Sequence, residues 1–283
     1  MELRNFLRTC KDAPDDFKLK YLQIVKANGY SLKSYYETCI ETLKKGLADA
    51  QADWAKIQKE KEAEAARKKA EADKKAKKAD QAVAKMFTDQ EDVLRKNKVE
   101  FNQVKPHTTA VSDDDIIARV GGGDLTAGSC ASVGLAFAAN KAGYDVRDFR
   151  GGDSRKHFCS YNNLAAMGRA LGADTSALVS GMDLMKTTQV GKLYYCVSGC
   201  HAAIVRKIAN GKYEYLELQS ATSNGWKPLN AKVFSTRFAS RGRNRGFILD
   251  IDSFKDLQEF HQIMGYINTN KTDQQKGTKG TIK

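Results

Sequence analysis

From Leu47 to Lys105 the chain contains neither a glycine nor a proline, while alanine, lysine and glutamate dominate, as in Glu62-Ala-Glu-Ala-Ala-Arg-Lys-Lys-Ala-Glu71. Good helix formers without a breaker restrict that backbone to one long helix over 48–105, closed by Pro106. Beyond Trp54 and Ile57 it has no sustained apolar seam, so it reads as a solvated, semi-rigid spacer rather than a strong coiled coil.

Such a helix buries no core, so its flanks must. Residues 1–47 read as a helical hairpin, with Phe17, Leu19, Tyr21, Leu22 and Val25 in a first helix ending at Gly29. Ser31 caps a second helix whose seam, Leu32, Tyr36, Cys39, Ile40, Leu43 and Leu47, needs a partner. Residues 106–268 read as an α+β domain. Its expected strands are Tyr144–Phe149, Leu193–Val197, a hairpin over 201–219 and Gly246–Ile251; its expected helices are one carrying Cys130 and one over Asn162–Leu171. The polar, basic tail 269–283 lacks the composition for a core.

The formal charge of +13 is unevenly spread: 56–78 carries ten Lys/Arg against five Asp/Glu, and 232–245 carries five basic residues and no acid. Both read as solvated surfaces that tolerate anions, with nonspecific nucleic-acid contact as the limit of what they imply. No apolar run is long enough to cross a bilayer, and Met1-Glu-Leu-Arg-Asn lacks a signal-peptide core, so the expectation is a chain without a membrane span, kept in a cytoplasm. Six cysteines without close spacing are expected to stay reduced there.

Two residues point to chemistry. Cys130 follows the glycines 121, 122, 123 and 128 and opens an Ala/Leu/Phe segment that reads as a helix start, where unpaired N–H groups favour a thiolate. His201 opens a strand, and Asn210-Gly211 turns the chain into a second one, Tyr213–Gln219. A helix-borne cysteine followed by a strand-borne histidine is the order of a papain-like thiol enzyme. Register decides whether a third residue can reach the ring. A tight two-residue turn puts His201 on the face opposite Glu217 and Gln219. A three-residue loop, Ala209-Asn210-Gly211, instead pairs Ile204 with Leu216, Ala202 with Leu218 and Arg206 with Glu214, leaving His201 opposite Gln219 and diagonal to Glu217. Side-chain matching selects the longer loop. Cys130 is then the nucleophile, His201 the base, Glu217 or Gln219 the residue that orients the ring, and the N–H groups of Ser129 and Cys130 the oxyanion donors.

Gly128-Ser-Cys-Ala-Ser-Val-Gly-Leu-Ala-Phe, His201-Ala-Ala-Ile-Val-Arg and Tyr213-Glu-Tyr-Leu-Glu-Leu-Gln-Ser220 resemble the papain-fold toxin or deamidase-like domain. Phe149-Arg-Gly-Gly-Asp153, Ser223-Asn-Gly-Trp-Lys-Pro228 and Gly265-Tyr-Ile-Asn-Thr269 are similar to the C-terminal region of phage minor head (head-morphogenesis) proteins, and the resemblance spans roughly 100–283. It implies a papain-like fold with a central antiparallel sheet and a virion component that also meets the host cytoplasm. Its implied partners are head or portal proteins, or a protein substrate. It also implies Cys130 as nucleophile, His201 as base, and the acidic and glutamine positions of an Asp-Pro-Gln motif on Glu217 and Gln219. Ser129 replaces the asparagine usual before the nucleophile, and Leu218 replaces the proline.

Three functions remain in view: a cysteine peptidase or glutamine deamidase, a head-assembly protein without chemistry, and a toxin acting in a bacterial host. No cofactor is expected. A zinc reading of Cys196, Cys200 and His201 suffers because strand neighbours face opposite ways, and it would have to recruit His157 and Cys159.

Overall fold

A computed structural model describes residues 14–16, 19, 33–121, 129–147, 152–219 and 223–268. Most of the first helix of the expected N-terminal hairpin, the glycines 122, 123 and 128, Phe149 and the tail 269–283 lie outside these residues. The chain divides into two compact units, 1–75 and 76–283.

The long helix, α1, runs over Lys33–Lys96, which corrects the expected boundaries at both ends. The segment that the sequence divides at Leu47 is continuous, because Gly46 costs a helix interior only about 1 kcal/mol against alanine. At the other end, Pro106 is not the terminator. Lys98 adopts a left-handed conformation with φ 53°, while Val99 N–H donates to Leu94 O (3.1 Å) and Lys98 N–H to Arg95 O (3.0 Å). Those two bonds form a Schellman cap with lysine where glycine is usual. The last turns of α1 are no spacer either, since Phe87 and Leu94 are fully buried in the core of the second unit.

That unit is α+β. Helix α2 (Asp113–Val120) opens with a capping box between Ser112 and Asp115. Next come α3 (Ser129–Lys141), α4 (Gly152–Phe158), α5 (Tyr161–Ala170), α6 (Gly181–Leu184), α7 (Ala231–Thr236) and α8 (Gln258–Met264). Two short strands, β1 (Lys105–Pro106) and β2 (Tyr144–Asp145), pair with each other; the latter is shorter than the expected Tyr144–Phe149. The main sheet joins β3 (Leu178–Val179), β4 (Leu193–Ser198), β5 (His201–Ala209), β6 (Lys212–Glu217), β7 (Gly225–Leu229) and β8 (Asn244–Asp250) in the antiparallel order β3-β8-β4-β5-β6-β7. Strand β7, not read from the sequence, tolerates Pro228 because it lies at the sheet's edge.

Strand alternation builds two cores. Tyr195, Val197, Ala202, Ile204, Leu216 and Leu218 face α3, whose residues 129–140 are all buried, while Cys196, Ala203, Val205 and Tyr215 face Phe234 and Phe238 at α7. Helix and sheet approach closely at Gly134, where an added Cβ would lie 2.8 Å from the ring of Tyr195. That ring's hydroxyl donates to Ala131 O (3.1 Å).

The hairpin corrects the expected loop and keeps the expected register. Asn210-Gly211 is a two-residue turn, with Gly211 at φ 70° and Ala209 paired with Lys212. Ile208 is an extra, unpaired residue, so from Lys207 inward the ladder runs Lys207 with Tyr213, Arg206 with Glu214 and Val205 with Tyr215. The bulge does what the longer loop was expected to do. Arg206 pairs with Glu214 at 2.7 Å and its guanidinium lies 3.8 Å above the Trp226 ring.

Candidate active site

The start of α3, the start of β5 and the end of β6 converge at one end of the sheet. Cys130, His201, Glu217 and Gln219 all line a single cavity there, together with Val133, Gly134, Ala202 and Leu218. Its free space is about 10 Å³, the room of one water molecule.

Cys130 lies in the first turn of α3 and is buried, with the backbone of Ala202 hydrogen-bonded to its sulfur. Burial pushes the thiol above its ordinary range, outweighing the backbone bond and the Arg237 charge that favour thiolate. The expectation of an activated thiolate at a helix start is therefore corrected: desolvation wins.

His201 belongs to the other face of β5. Its ring packs edge-on against Phe238 with centroids 4.9 Å apart, on the side occupied by Ala203 and Val205. Burial drives its pKa down to about 3; the positive charge of Arg237 acts in the same direction, and Glu217 opposes it. The imidazole is thus neutral at neutral pH. Among the described residues no hydrogen bond joins it to the Cys130 sulfur, so the cavity gathers the pair without a bond between them.

Glu217 and Gln219 are engaged elsewhere. Arg237 Nε donates to Glu217 Oε2 (2.8 Å) and its Nη2 to Glu217 Oε1 (3.1 Å) and Gln219 Oε1 (2.9 Å). The Gln219 N–H donates to Glu217 Oε1 (2.9 Å), and its side-chain amide donates to Ser129 Oγ. Burial alone would raise the Glu217 carboxyl, but the Arg237 hydrogen bonds and charge, with help from Gln219 and His201, hold it below the usual carboxylate range. Ser129 and Cys130, whose N–H groups are the expected oxyanion donors, occupy the first two positions of α3.

Arg237 is the site residue that sequence reasoning missed. It lies in the basic run 232–245, read as a solvated rim, and nothing local distinguishes it from Arg241 or Arg243. The zinc candidates separate: Cys196 is buried, Cys159 and Cys200 are exposed, and among the described residues no three His, Cys, Asp or Glu gather where they could hold a metal ion. No helix among these residues is long and apolar enough to cross a membrane.

Fold and site together define an α+β protein with a six-stranded antiparallel sheet and a buried cysteine and histidine at its end. No known protein family, curated protein or solved structure matches the chain.

Proposed function

We propose that the chain is a thiol hydrolase of papain-like organisation, carried by a component of a phage head and acting on peptide bonds or glutamine side chains. The observation that carries it is the convergence of Cys130, His201, Glu217 and Gln219, drawn from three elements, on one cavity. In the reaction the Cys130 proton passes to an imidazole nitrogen of His201 and the sulfur bonds to the carbonyl carbon. The carbon–nitrogen bond then breaks and the leaving amine takes that proton. Water attacks the thioester, releasing the acid and restoring the thiol. The cavity holds about one water molecule, so a substrate carbonyl reaches the sulfur only if the residues lining it give way. The phage-head setting rests on the sequence resemblance alone.

The test is hydrolysis of peptide and glutamine substrates by the wild type and by Cys130→Ala. A loss of about a thousandfold or more is expected on removing the nucleophile. Equal rates in the two proteins, or no amide hydrolysis by either, would sink the reading.

A second reading has its own support. The missing sulfur–imidazole bond, the raised thiol and the one-water cavity favour a head-assembly protein in which the site is only packing. It predicts head assembly unchanged in Cys130→Ala.

A further inference from the structure

Arg237 sits where the two faces of the sheet meet. Its own N–H closes α7 by donating to Val233 O (2.8 Å), which fixes its backbone. Its guanidinium then reaches across the strand end to both oxygens of Glu217 and to Gln219 Oε1, and Gln219 passes the connection on to Ser129 Oγ. A continuous line of three side chains, Arg237, Gln219 and Ser129, thus runs from the end of α7 on one face to the first turn of α3 on the other, with Glu217 branching from it. The planar guanidinium holds its donors in fixed directions toward two carboxylate oxygens and an amide oxygen at once, whereas the three donors of an ammonium rotate freely and are not pre-organised for that geometry. The same bonds keep the Glu217 carboxylate occupied, while His201, on the same face as Glu217, has no hydrogen bond to either ring nitrogen among the described residues.

We propose that Arg237 is the positioning residue of this site: it holds Glu217 off the His201 ring and, through Gln219, fixes the turn of α3 that carries Cys130. The inference deepens the hydrolase reading and rests on it for its meaning, though not for its test. The charged or titratable groups around the His201 ring are Glu217 from β6 and Arg237 from the end of α7. Tyr215 on β6 feels the same two, and the Cys130 thiol on α3 feels Arg237 and Cys200.

The experiment follows the NMR titration of His201 and the pH dependence of Cys130 alkylation in the full chain, comparing wild type, Arg237→Gln and Arg237→Lys. Removing the charge takes away the cation that opposes imidazolium and frees the Glu217 carboxylate, so in Arg237→Gln the His201 titration moves upward. The midpoint of Cys130 alkylation also moves upward, because a cation that favours thiolate is gone. Arg237→Lys keeps the charge without the fork. It moves His201 less than Arg237→Gln does, yet shifts the Gln219 side-chain amide resonances as the bond to Ser129 loosens. A folded Arg237→Gln whose His201 titration coincides with wild type overturns the inference. Should that variant fail to fold, unmoved Gln219 amide resonances in Arg237→Lys overturn it instead. Neither readout needs turnover: a chain without hydrolysis but with these shifts loses the reaction and keeps the positioning role, and the converse result separates them the other way.

Discussion

Cys130 and His201 are perturbed in opposite directions by one cause. Burial penalises whichever form is charged, so the thiol rises and the imidazole falls, and near neutral pH both are uncharged. An activated thiolate–imidazolium pair is therefore not the resting state. The consequence is measurable by alkylation with iodoacetamide near neutral pH, followed by peptide mapping. Cys130 should react at least about tenfold more slowly than the exposed Cys159 and Cys200, and Cys196, buried and pushed up to about 12, should be slow as well. Faster labelling of Cys130 than of Cys159 would mean that burial does not protect this thiol from the reagent.

Among the elements, two irregularities do the positioning. The Ile208 bulge sets the parity of β5, putting Ala202 under α3 and His201 beside Glu217 and Phe238. The cap at Lys98 ends α1 and turns residues 99–104 onto the core, where Asn102 N–H donates to Gly265 O (2.8 Å) and its side-chain amide donates to Asn268 O (3.1 Å). A lysine in left-handed conformation is strained by its Cβ, so Lys98→Gly should stabilise the chain by about 0.5–1 kcal/mol after glycine's greater unfolded-state freedom is subtracted. That corresponds to a rise in melting temperature of about 1–4 °C. A fall would show that the lysine side chain contributes more than its backbone strain costs.

Across the folded α+β unit the buried titratable groups make stability depend on pH from both sides. His201 is depressed from 6.5 to about 3, and burial also lowers His157 and His261. The unfolded chain therefore binds more protons below pH 6.5, and the stability tied to a neutral His201, on the order of 5 kcal/mol, is complete above pH 6.5 and lost as pH falls toward 3. Glu217, also depressed, adds to the loss in acid as pH drops through its folded value. Cys130, Cys196 and Tyr195 are raised by burial, so their contribution is complete below the unfolded thiol value of 9.0 and declines as pH climbs toward the 12 or so of Cys196. Urea midpoints for this unit should form a plateau between about pH 6.5 and 9.0 with falls on both sides. Equal midpoints at pH 7 and pH 4 would contradict the burial of His201.

Local energies were legible in the residues themselves. A stretch without breakers must be helical, alternation assigns Ala202 and Ile204 to one face and Ala203 and Val205 to the other, and pairing Arg206 with Glu214 selects the register of β5 and β6. The device achieving that register was not legible, because a bulge at Ile208 and a longer loop satisfy the same side-chain pairs. The end of α1 was hidden for a similar reason: lysine carries no local signal for a left-handed cap, and only the packing of Phe87, Leu94 and Val99 on the core imposes one. Tertiary structure alone decided the state of the candidate site. Whether a thiol is solvated, whether an imidazole faces it, and which of several arginines turns inward to a carboxylate all depend on contacts between different elements, such as the pair Gln219 and Ser129 or the pair Arg237 and Glu217, and no local propensity contains the free energy of those contacts.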